Sequence, residues 1–319
     1  MKDLIRYALS DNKSGTILKD MLNDLTPFDV VISAENVGTY AHSDVIATQM
    51  NKQYNLDFMT LIKRIKLYYS TAKSVYLCGI RTIEEIVEIL DIFKESLTSL
   101  YLFKCPDIHK LSFLEELPHL QYLNIYWNRK AKSLFNAAIM PNLKKFYMMD
   151  CNHIVNFDGL KHSNIEFLSL HGCNGLSSFT SKLDVGDMNF LEFMPCLRVL
   201  TLDIMRTQTD DVYLKALAKV PTLEEFYIGE RFFTFEQFAW LSAHLPKVKE
   251  DLEPCTYYIS QKERGTTIVE EVEEYSIIGR RKTRAKKALA IRYLNAYNAL
   301  RQQFIDVPEP PSSDFQCSL

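Results

Sequence analysis

A short pattern, apolar-Pro-x-apolar, returns five times along the chain and constrains its fold more than any other feature. It reads LPHL at 117–120, MPNL at 140–143, MPCL at 194–197, VPTL at 220–223 and LPKV at 245–248. After each of the first four, the chain reads apolar-x-x-apolar-x-apolar, so the units can be aligned on one another. Internal repetition of this kind predicts a protein built from stacked units.

Phasing the chain on this pattern gives six repeat starts, 22 to 32 residues apart, and a degenerate seventh at Val248. The starts are Leu97, Leu120, Leu143, Ile165, Leu197 and Leu223. The fourth and sixth positions of every unit are apolar, which with the alternation around them is typical of a strand with one buried face. We therefore expect each unit to open with a short strand, and periods of this length to form a solenoid.

The ninth position of four units holds a small polar or sulfur-containing residue: Cys105, Asn128, Cys151 and Cys173. The pattern resembles the leucine-rich repeat, L-x-x-L-x-L-x-x-N/C-x-L, over residues 72 to 250. The resemblance implies that this residue points inward and hydrogen-bonds backbone groups where the chain leaves the strand. The last two units place Met205 and Arg231 there, so their turns must form differently.

The resemblance implies an α/β solenoid, with a curved parallel sheet on the concave face and short helices or irregular turns on the convex face. Within that frame the chain divides into a helical N-terminal cap at 1–71, repeats at 72–254, a hairpin-plus-helix cap at 255–306 and a disordered tail at 307–319. The cap prediction rests on helix-length segments at 3–9, 16–25 and 44–69, with a short strand at 30–33.

Helix-capping signals mark the convex side at two places. Thr82 and Glu85 have capping-box spacing before an apolar helix, directly after the strand-like segment 74–78, which indicates a divergent first repeat. Thr234 and Gln237 repeat the signal before a helix in the last units. We therefore expect the longer, late repeats to be α-helical on their convex side.

The segment after Cys255 reads as a hairpin followed by a long helix. An apolar stripe at helical spacing is expected to pack inward: Leu289, Tyr293, Ala296, Leu300 and Phe304. A hairpin that continues the repeat sheet would pair its last exposed edge, which otherwise invites aggregation.

Strand side chains that point away from the core form the candidate binding surface. Its predicted partner-contacting residues are Tyr101, Phe103, Tyr122, Tyr126, Trp127, Tyr147, Met149, Phe167 and His171. Aromatic residues also support sheets without binding anything. Here the inward positions are already filled by Leu, Ile, Met and Phe, so these aromatics have no core left to enter. An exposed patch rich in Tyr and Trp is typical of a protein-binding surface.

A basic run near the C-terminal helix is a second candidate, for contact with an anionic partner: Arg280, Arg281, Lys282, Arg284, Lys286 and Lys287. Positive charge at a helix start opposes the helix dipole, so the run does not serve to stabilise the helix. It could contact phosphate or an acidic partner. The favoured alternative is intramolecular neutralisation by the upstream glutamates, Glu270, Glu271, Glu273 and Glu274.

Composition bounds the function further. The formal charge of −3 argues against a general nucleic-acid binder. The chain contains none of the common nucleotide-binding, metalloprotease or redox motifs, so no cofactor, metal or catalytic residue is predicted. His171 near Asp203 is read as a contact residue rather than a catalytic one. Seven cysteines, an odd number, fit reduced thiols in a reducing compartment.

The N-terminus lacks the apolar core of a signal peptide, and eighteen apolar residues never run together. These observations predict a cytoplasmic, monomeric, non-enzymatic protein that captures a protein partner on the concave aromatic face, of inhibitor, immunity or effector type. The alternative is an adaptor for nucleic acid or an acidic surface that acts through residues 280–287.

Overall fold

A computed structural model describes most of the chain. The described residues are 30–33, 48–49, 58–80, 82–105, 107–172, 183–248, 252–264, 267–280 and 283–314. The chain forms two compact units, one of residues 1–186 with 193–207 and one of residues 187–192 with 208–319.

Eight strands of the first unit form one sheet. They are β1 (Val30–Ser33), β2 (Thr48–Gln49), β3 (Ser74–Cys78), β4 (Ser99–Phe103), β5 (Tyr122–Tyr126), β6 (Lys145–Met149), β7 (Phe167–His171) and β8 (Val199–Asp203), in the order β2-β1-β3-β4-β5-β6-β7-β8. All neighbours pair in parallel, and equivalent repeat positions face one another, as in Leu100 opposite Leu123 and Leu123 opposite Phe146. The prediction of one strand per repeat is confirmed for β4 to β8.

The core of the first unit is a row of repeat-start and strand residues. The starts Leu97, Leu120, Leu143, Ile165 and Leu197 are each at most 1% exposed. The fourth and sixth strand positions are buried as well, for example Leu168 and Leu170 on β7. Each such buried side chain stabilises the fold by about 1.5–3 kcal/mol relative to an exposed one. The repeat pattern therefore identifies the core directly.

The opposite side of the short repeats consists of tight helical turns, at Ser112–Glu116, Ala137–Ile139 and Asp158–Leu160. The first repeat instead carries helix α2 (Ile83–Phe93), which follows helix α1 (Phe58–Tyr69) in the chain. The Glu85 amide donates to the Thr82 hydroxyl oxygen at 3.2 Å. This cap confirms the predicted start of α2.

The N-terminal region contributes strands as well as a helix. The predicted strand at 30–33 is β1, which pairs with β3 and covers that edge of the repeat strands. Thr48 and Gln49, predicted as helical, form β2 beside β1 instead, because pairing there satisfies backbone groups at the sheet edge. Within the predicted helix at 44–69, the described residues 58–69 are helical. The segments at 3–9 and 16–25 lie outside the described residues.

The second unit contains the helical repeats and the C-terminal elements. Its elements are α3 (Asp210–Ala218), β9 (Glu225–Ile228), α4 (Phe235–His244), β10 (Cys255–Arg264), β11 (Thr267–Ile277), β12 (Thr283–Ala285) and α5 (Lys287–Phe304). The capping box of α4 is complete: the Gln237 amide donates to Thr234 Oγ1 at 3.2 Å, and the Thr234 amide donates to Gln237 Oε1 at 3.0 Å. Helices in the late repeats are thus confirmed.

The predicted C-terminal hairpin is present, but it does not continue the repeat sheet. Strands β10, β11 and β12 form a separate three-stranded antiparallel sheet rather than an extension of the repeat sheet. Beyond β11, the Gly279 amide donates to the Glu230 carbonyl at 2.8 Å, and the Ser276 hydroxyl donates to the Glu230 carboxylate at 3.2 Å. Side-chain and turn contacts therefore attach the hairpin to the loop after β9.

The buried face of α5 matches the predicted stripe at Leu300 and Phe304 and differs from it nearer the start of the helix. Ala290, Tyr297, Leu300 and Phe304 are buried, whereas Leu289 is 38% exposed. The Tyr297 hydroxyl donates to the Leu252 carbonyl at 2.7 Å, and its ring meets Phe235 edge-on at 5.3 Å. These contacts set the rotation of α5, and periodicity alone did not reveal them.

The tail, predicted as disordered from residue 307, contacts α4 at Val307 and Pro311. Its chain packs on α4, where Trp240 Nε1 donates to the Val307 carbonyl at 2.9 Å. Proline-rich segments lose little conformational entropy when they become ordered, so a few contacts with α4 are sufficient to order the tail. None of the helices in the described part of the chain has the length and apolar character needed to cross a bilayer.

Candidate functional site

The candidate site is the outer face of the sheet. We define the outer face as the side chains at the third, fifth and seventh positions of the repeat, which are the first, third and fifth residues of strands β3 to β8. Successive strand residues point to opposite sides, so these positions lie opposite the buried fourth and sixth positions. In-register pairing then aligns equivalent side chains in rows, such as Tyr101, Asn124 and Tyr147.

Four aromatic side chains on β3, β4 and β5 form one cluster on the outer face. Tyr76 and Tyr101 stack with ring centroids 4.7 Å apart, and Tyr101 lies 6.3 Å from Phe103. Phe103 continues to Tyr126 at 4.9 Å. We call these four residues the aromatic cluster. Each such ring pair adds about 0.5–1.5 kcal/mol beyond its buried area.

Exposure across the outer face differs from the predicted continuous open patch. Tyr76, Phe103 and Tyr147 are only 4%, 9% and 8% exposed, because neighbouring rings cover them. The other predicted contact residues are partly exposed: Tyr101, Tyr122, Tyr126, Trp127, Met149, Phe167 and His171. The outer face therefore has a small apolar layer of its own, with partly exposed residues around it.

Trp127 directly follows β5 and is held from several sides. Lys104 Nζ lies 5.1 Å and Arg129 Cζ lies 4.7 Å from its ring centroid. Its backbone amide donates to the Met149 carbonyl at 2.9 Å. Its indole Nε1 is buried, and among the described residues it has no hydrogen-bond acceptor. Buried indole N–H groups normally find one.

The backbone conformation of Trp127 belongs to a repeating feature at the eighth position of the units. Gly79, Lys104, Trp127 and Asp150 all have positive φ, of 73°, 51°, 62° and 54°. Each donates its amide to the seventh-position carbonyl of the next strand, at 2.9 to 3.1 Å. Sequence reasoning missed this left-handed turn, although glycine at position 79 was a signal for it.

The β7–β8 end of the outer face is polar. Ser169 and Thr201 face each other in register, are 1% and 2% exposed, and their hydroxyls have no hydrogen-bond partner among the described residues. His171 and Asp203 are also in register, as predicted. His171 is only partly exposed, and the loss of hydration around its ring lowers its pKa to about 4, so the ring is neutral near neutral pH. It can bind through hydrogen bonds there but not through charge.

The turn residues behave as the family resemblance implied. Asn128 is buried and donates through Nδ2 to the carbonyls of Cys105 and Ile108, at 3.1 and 2.8 Å. Its Oδ1 accepts from the amides of Lys130 and Ala131, at 3.1 and 2.9 Å. At the same position the Cys151 thiol donates to the Met149 carbonyl at 3.4 Å. Cys173 lies outside the described residues.

The basic run is only partly available for an external anion. Arg280 pairs with Asp210 at the start of α3, a partner that the sequence did not suggest. Lys286 and Lys287 are exposed at the start of α5. Arg281 and Lys282 lie outside the described residues, and only the backbone of Arg284 is described, on β12. Arg280 is therefore engaged within the chain, as the intramolecular alternative expects, but with a different acid.

Among the residues that the structure describes, no group of three or more His, Cys, Asp or Glu side chains could hold a metal ion. Sequence comparison finds no matching family model and no matching curated protein.

Several solved structures resemble this chain over part of its length, and two of them illustrate the likeness. One is an internalin (inlF) from Listeria monocytogenes str. 4b F2365, at 16% identity and a TM-score of 0.39, covering 56% of this chain and 47% of that one. The other is TLR13 in its complex with ssRNA13, at 20% identity and a TM-score of 0.42, covering 61% of this chain and 26% of that one. This chain spans less than half the length of either protein, and neither likeness bears on what it binds.

The geometry of the chain itself carries the fold assignment. One strand per repeat, in-register parallel pairing, a row of buried repeat starts and the inward Asn128 together make this a leucine-rich-repeat fold of the α/β class.

Proposed function

We propose that the chain is a non-enzymatic binding protein that captures a protein partner on the outer face, with residues from β4 to β7 making the contacts. The observation that supports this most is the pair Tyr126 and Trp127 at the end of β5. Both are partly exposed, and Tyr126 rests on the nearly buried Phe103 at 4.9 Å. Tyr, Trp and Arg are the residues enriched in interface hot spots.

Rigidity also favours partner capture at this place. Trp127 is fixed by its backbone hydrogen bond to Met149 and by the cations of Lys104 and Arg129 at its ring. A side chain that is already ordered loses little entropy when a partner binds. Its unsatisfied indole Nε1 offers a donor, which a small rearrangement of the ring would present to a partner carbonyl or carboxylate.

A reducing, cytoplasmic setting is part of the proposal. Burial raises the pKa of the Cys151 thiol to about 12, so it stays protonated and donates to the Met149 carbonyl. None of the described cysteines is joined in a disulfide: Cys78, Cys105, Cys151, Cys196 and Cys255. Thiols that serve as backbone donors are compatible with a compartment that keeps cysteines reduced.

The experiment is affinity capture from a native lysate of the source cells, followed by mass spectrometry. Wild type is compared with the Tyr126→Ala/Trp127→Ala variant and with a control, Ile139→Ala/Val155→Ala. The control removes exposed apolar side chains, 56% and 58% exposed, that do not lie on the outer face. The proposal expects a partner that wild type and the control retain and the Tyr126/Trp127 variant loses. A partner retained equally by all three proteins would contradict it.

A further inference from the structure

The C-terminal residues 307–311, which we call the strap, are bound to α4 through their backbone. The Val307 carbonyl accepts from Trp240 Nε1 at 2.9 Å, and the Pro311 carbonyl accepts from Gln237 Nε2 at 3.1 Å. Between these two bonds, the Glu309 carboxylate pairs with Lys215 Nζ of α3 at 2.6 Å. The strap is thus held by two carbonyl contacts and one ion pair.

The two donor side chains, Gln237 and Trp240, lie on one face of α4, and other contacts hold them in position. Gln237 and Trp240 are three residues apart, so their side chains are neighbours on the helix surface. They are 0% and 1% exposed. Gln237 is fixed by the capping box with Thr234, and the Trp240 ring stacks on His244 at 4.0 Å. Because buried N–H groups require acceptors, this face of α4 is built to receive backbone carbonyls from a passing segment.

The strap has the chemistry of a proline-rich ligand. Its sequence from Pro308 to Pro311 reads Pro-Glu-Pro-Pro, which is a P-x-x-P segment. Prolines lack an N–H and have a fixed φ, so such a segment leaves its carbonyls free for a partner. Docking of P-x-x-P segments on aromatic-lined grooves is a recurring mode of peptide recognition.

The strap leaves part of its site open. Beside it lies a groove of about 610 Å³, lined in part by Lys219, Trp240, His244, Ile305 and Pro308. The lining continues the mixture of aromatic, apolar and cationic side chains that contacts the strap. A segment longer than the strap would therefore find further contact surface in the same groove.

We propose that this face of α3 and α4 is a binding site for acidic proline-rich segments of other proteins, and that the strap occupies it in the isolated chain as an internal competitor. The incoming segment places two carbonyls on Trp240 Nε1 and Gln237 Nε2 and a carboxylate on Lys215. Because the tethered strap acts at a high local concentration, weakening the strap strengthens binding of the incoming segment. This inference does not rest on the function proposed for the outer face.

The test uses the full chain and a fluorescently labelled peptide, DVPEPPSSD, which copies residues 306–314. Glu309→Lys places two cations together and loosens the strap without touching the core, since the Glu309 side chain is 72% exposed. Fluorescence anisotropy should show the peptide binding Glu309→Lys at least threefold more tightly than wild type. The double variant Lys215→Glu/Glu309→Lys restores the ion pair between the strap and α3, and it removes the cation that the peptide glutamate would contact. Its affinity for the peptide should therefore be lower than that of Glu309→Lys.

Two conservative changes at the buried donors locate the peptide. In the Glu309→Lys chain, Trp240→Phe removes the indole donor, and Gln237→Glu removes the amide donor while it keeps an acceptor for the Thr234 amide, as in other capping boxes. Each should weaken peptide binding at least tenfold, with an unchanged circular dichroism spectrum. No peptide binding to Glu309→Lys at millimolar protein would overturn the proposal, and so would binding that survives both substitutions.

A second readout covers the case in which these variants do not fold. The chain has two tryptophans, so Trp127→Phe leaves Trp240 as the sole emitter. Titration of that otherwise native chain with the peptide should shift the Trp240 emission in a saturable way as strap and peptide exchange. A peptide in which lysine replaces the glutamate should need a several-fold higher concentration. An emission spectrum that does not respond to the first peptide would contradict the proposal.

Discussion

The side-chain amide of Asn128 reaches into the preceding repeat, where its Nδ2 donates to the carbonyl of Ile108 at 2.8 Å. The same side chain closes its own turn by accepting from Ala131 at 2.9 Å. One buried polar residue therefore serves backbone groups of two successive units. Since a repeat protein is stabilised by contacts between neighbours, such a link contributes to cohesion as well as to the turn.

Replacing Asn128 by Ala should lower the free energy of unfolding by about 3 kcal/mol, because four backbone groups, whose hydrogen bonds are buried in three cases, lose their partner. Asn128→Cys should lose clearly less, since cysteine occupies this position in neighbouring repeats and keeps one thiol donor. Urea unfolding of both variants beside wild type checks the order. Equal losses for Ala and Cys would contradict this role of the amide.

Gly159→Ala should destabilise the first unit by about 2 kcal/mol. A methyl group there would overlap the carbonyl oxygen of Phe135, and this backbone atom cannot move aside cheaply. Gly229→Ala is the matched control, because a methyl group at that position meets nothing within 4 Å and should change stability by less than about 0.5 kcal/mol. Thermal unfolding decides between them. Indistinguishable melting curves would mean that the repeats tolerate a shift at Phe135.

The stability of the chain should depend on pH through His171. Burial lowers its pKa from 6.5 to about 4, so between these values the unfolded state binds more protons than the folded state. The His171 contribution is therefore full above pH 6.5 and is lost as the pH falls towards 4, by at most about 3 kcal/mol. Chemical unfolding of wild type and His171→Asn from pH 7 to pH 4 isolates the effect. Parallel stability profiles for the two proteins would rule it out.

Arg280→Ala should cost about 2 kcal/mol, because it leaves the carboxylate of Asp210, which is 7% exposed, without its cation. Lys287→Ala removes an exposed charge of the same run and should be nearly neutral. Binding of RNA or DNA at low salt is measured on the same variants. Strong, salt-sensitive binding that Arg280→Ala abolishes without loss of stability would favour the anionic-surface alternative.

Much of the fold could be predicted because the recurring motif shows where each repeat begins. Leu97, Leu120 and Leu143 are buried where the pattern places them, and the helix caps at Thr82 and Thr234 rest on residues three apart. Such signals are local, so a single sequence carries them. The outer face follows from strand alternation once the phase is known.

Features that depend on distant contacts were not predictable. Arg280 finds Asp210 across 70 residues, and Trp240 binds the strap across 67 residues. The burial of Phe103 and Tyr147 depends on how neighbouring rings stack, which composition does not reveal. Likewise, Tyr297 rather than Leu289 faces the interior because of a hydrogen bond to Leu252. The sequence pattern therefore predicts which face of a helix or strand is buried. The long-range contacts determine how the element is rotated and which of its atoms remain exposed.

The most direct test of the outer face is the affinity of the captured partner for purified wild type, Tyr126→Ala/Trp127→Ala and Ile139→Ala/Val155→Ala. Removal of two hot-spot aromatic side chains should raise the Kd by about 100-fold or more, whereas the control should stay within about threefold of wild type. Melting temperatures of all three proteins show whether the fold is kept. An unchanged Kd for the Tyr126/Trp127 variant, with its fold intact, would contradict partner capture on the outer face.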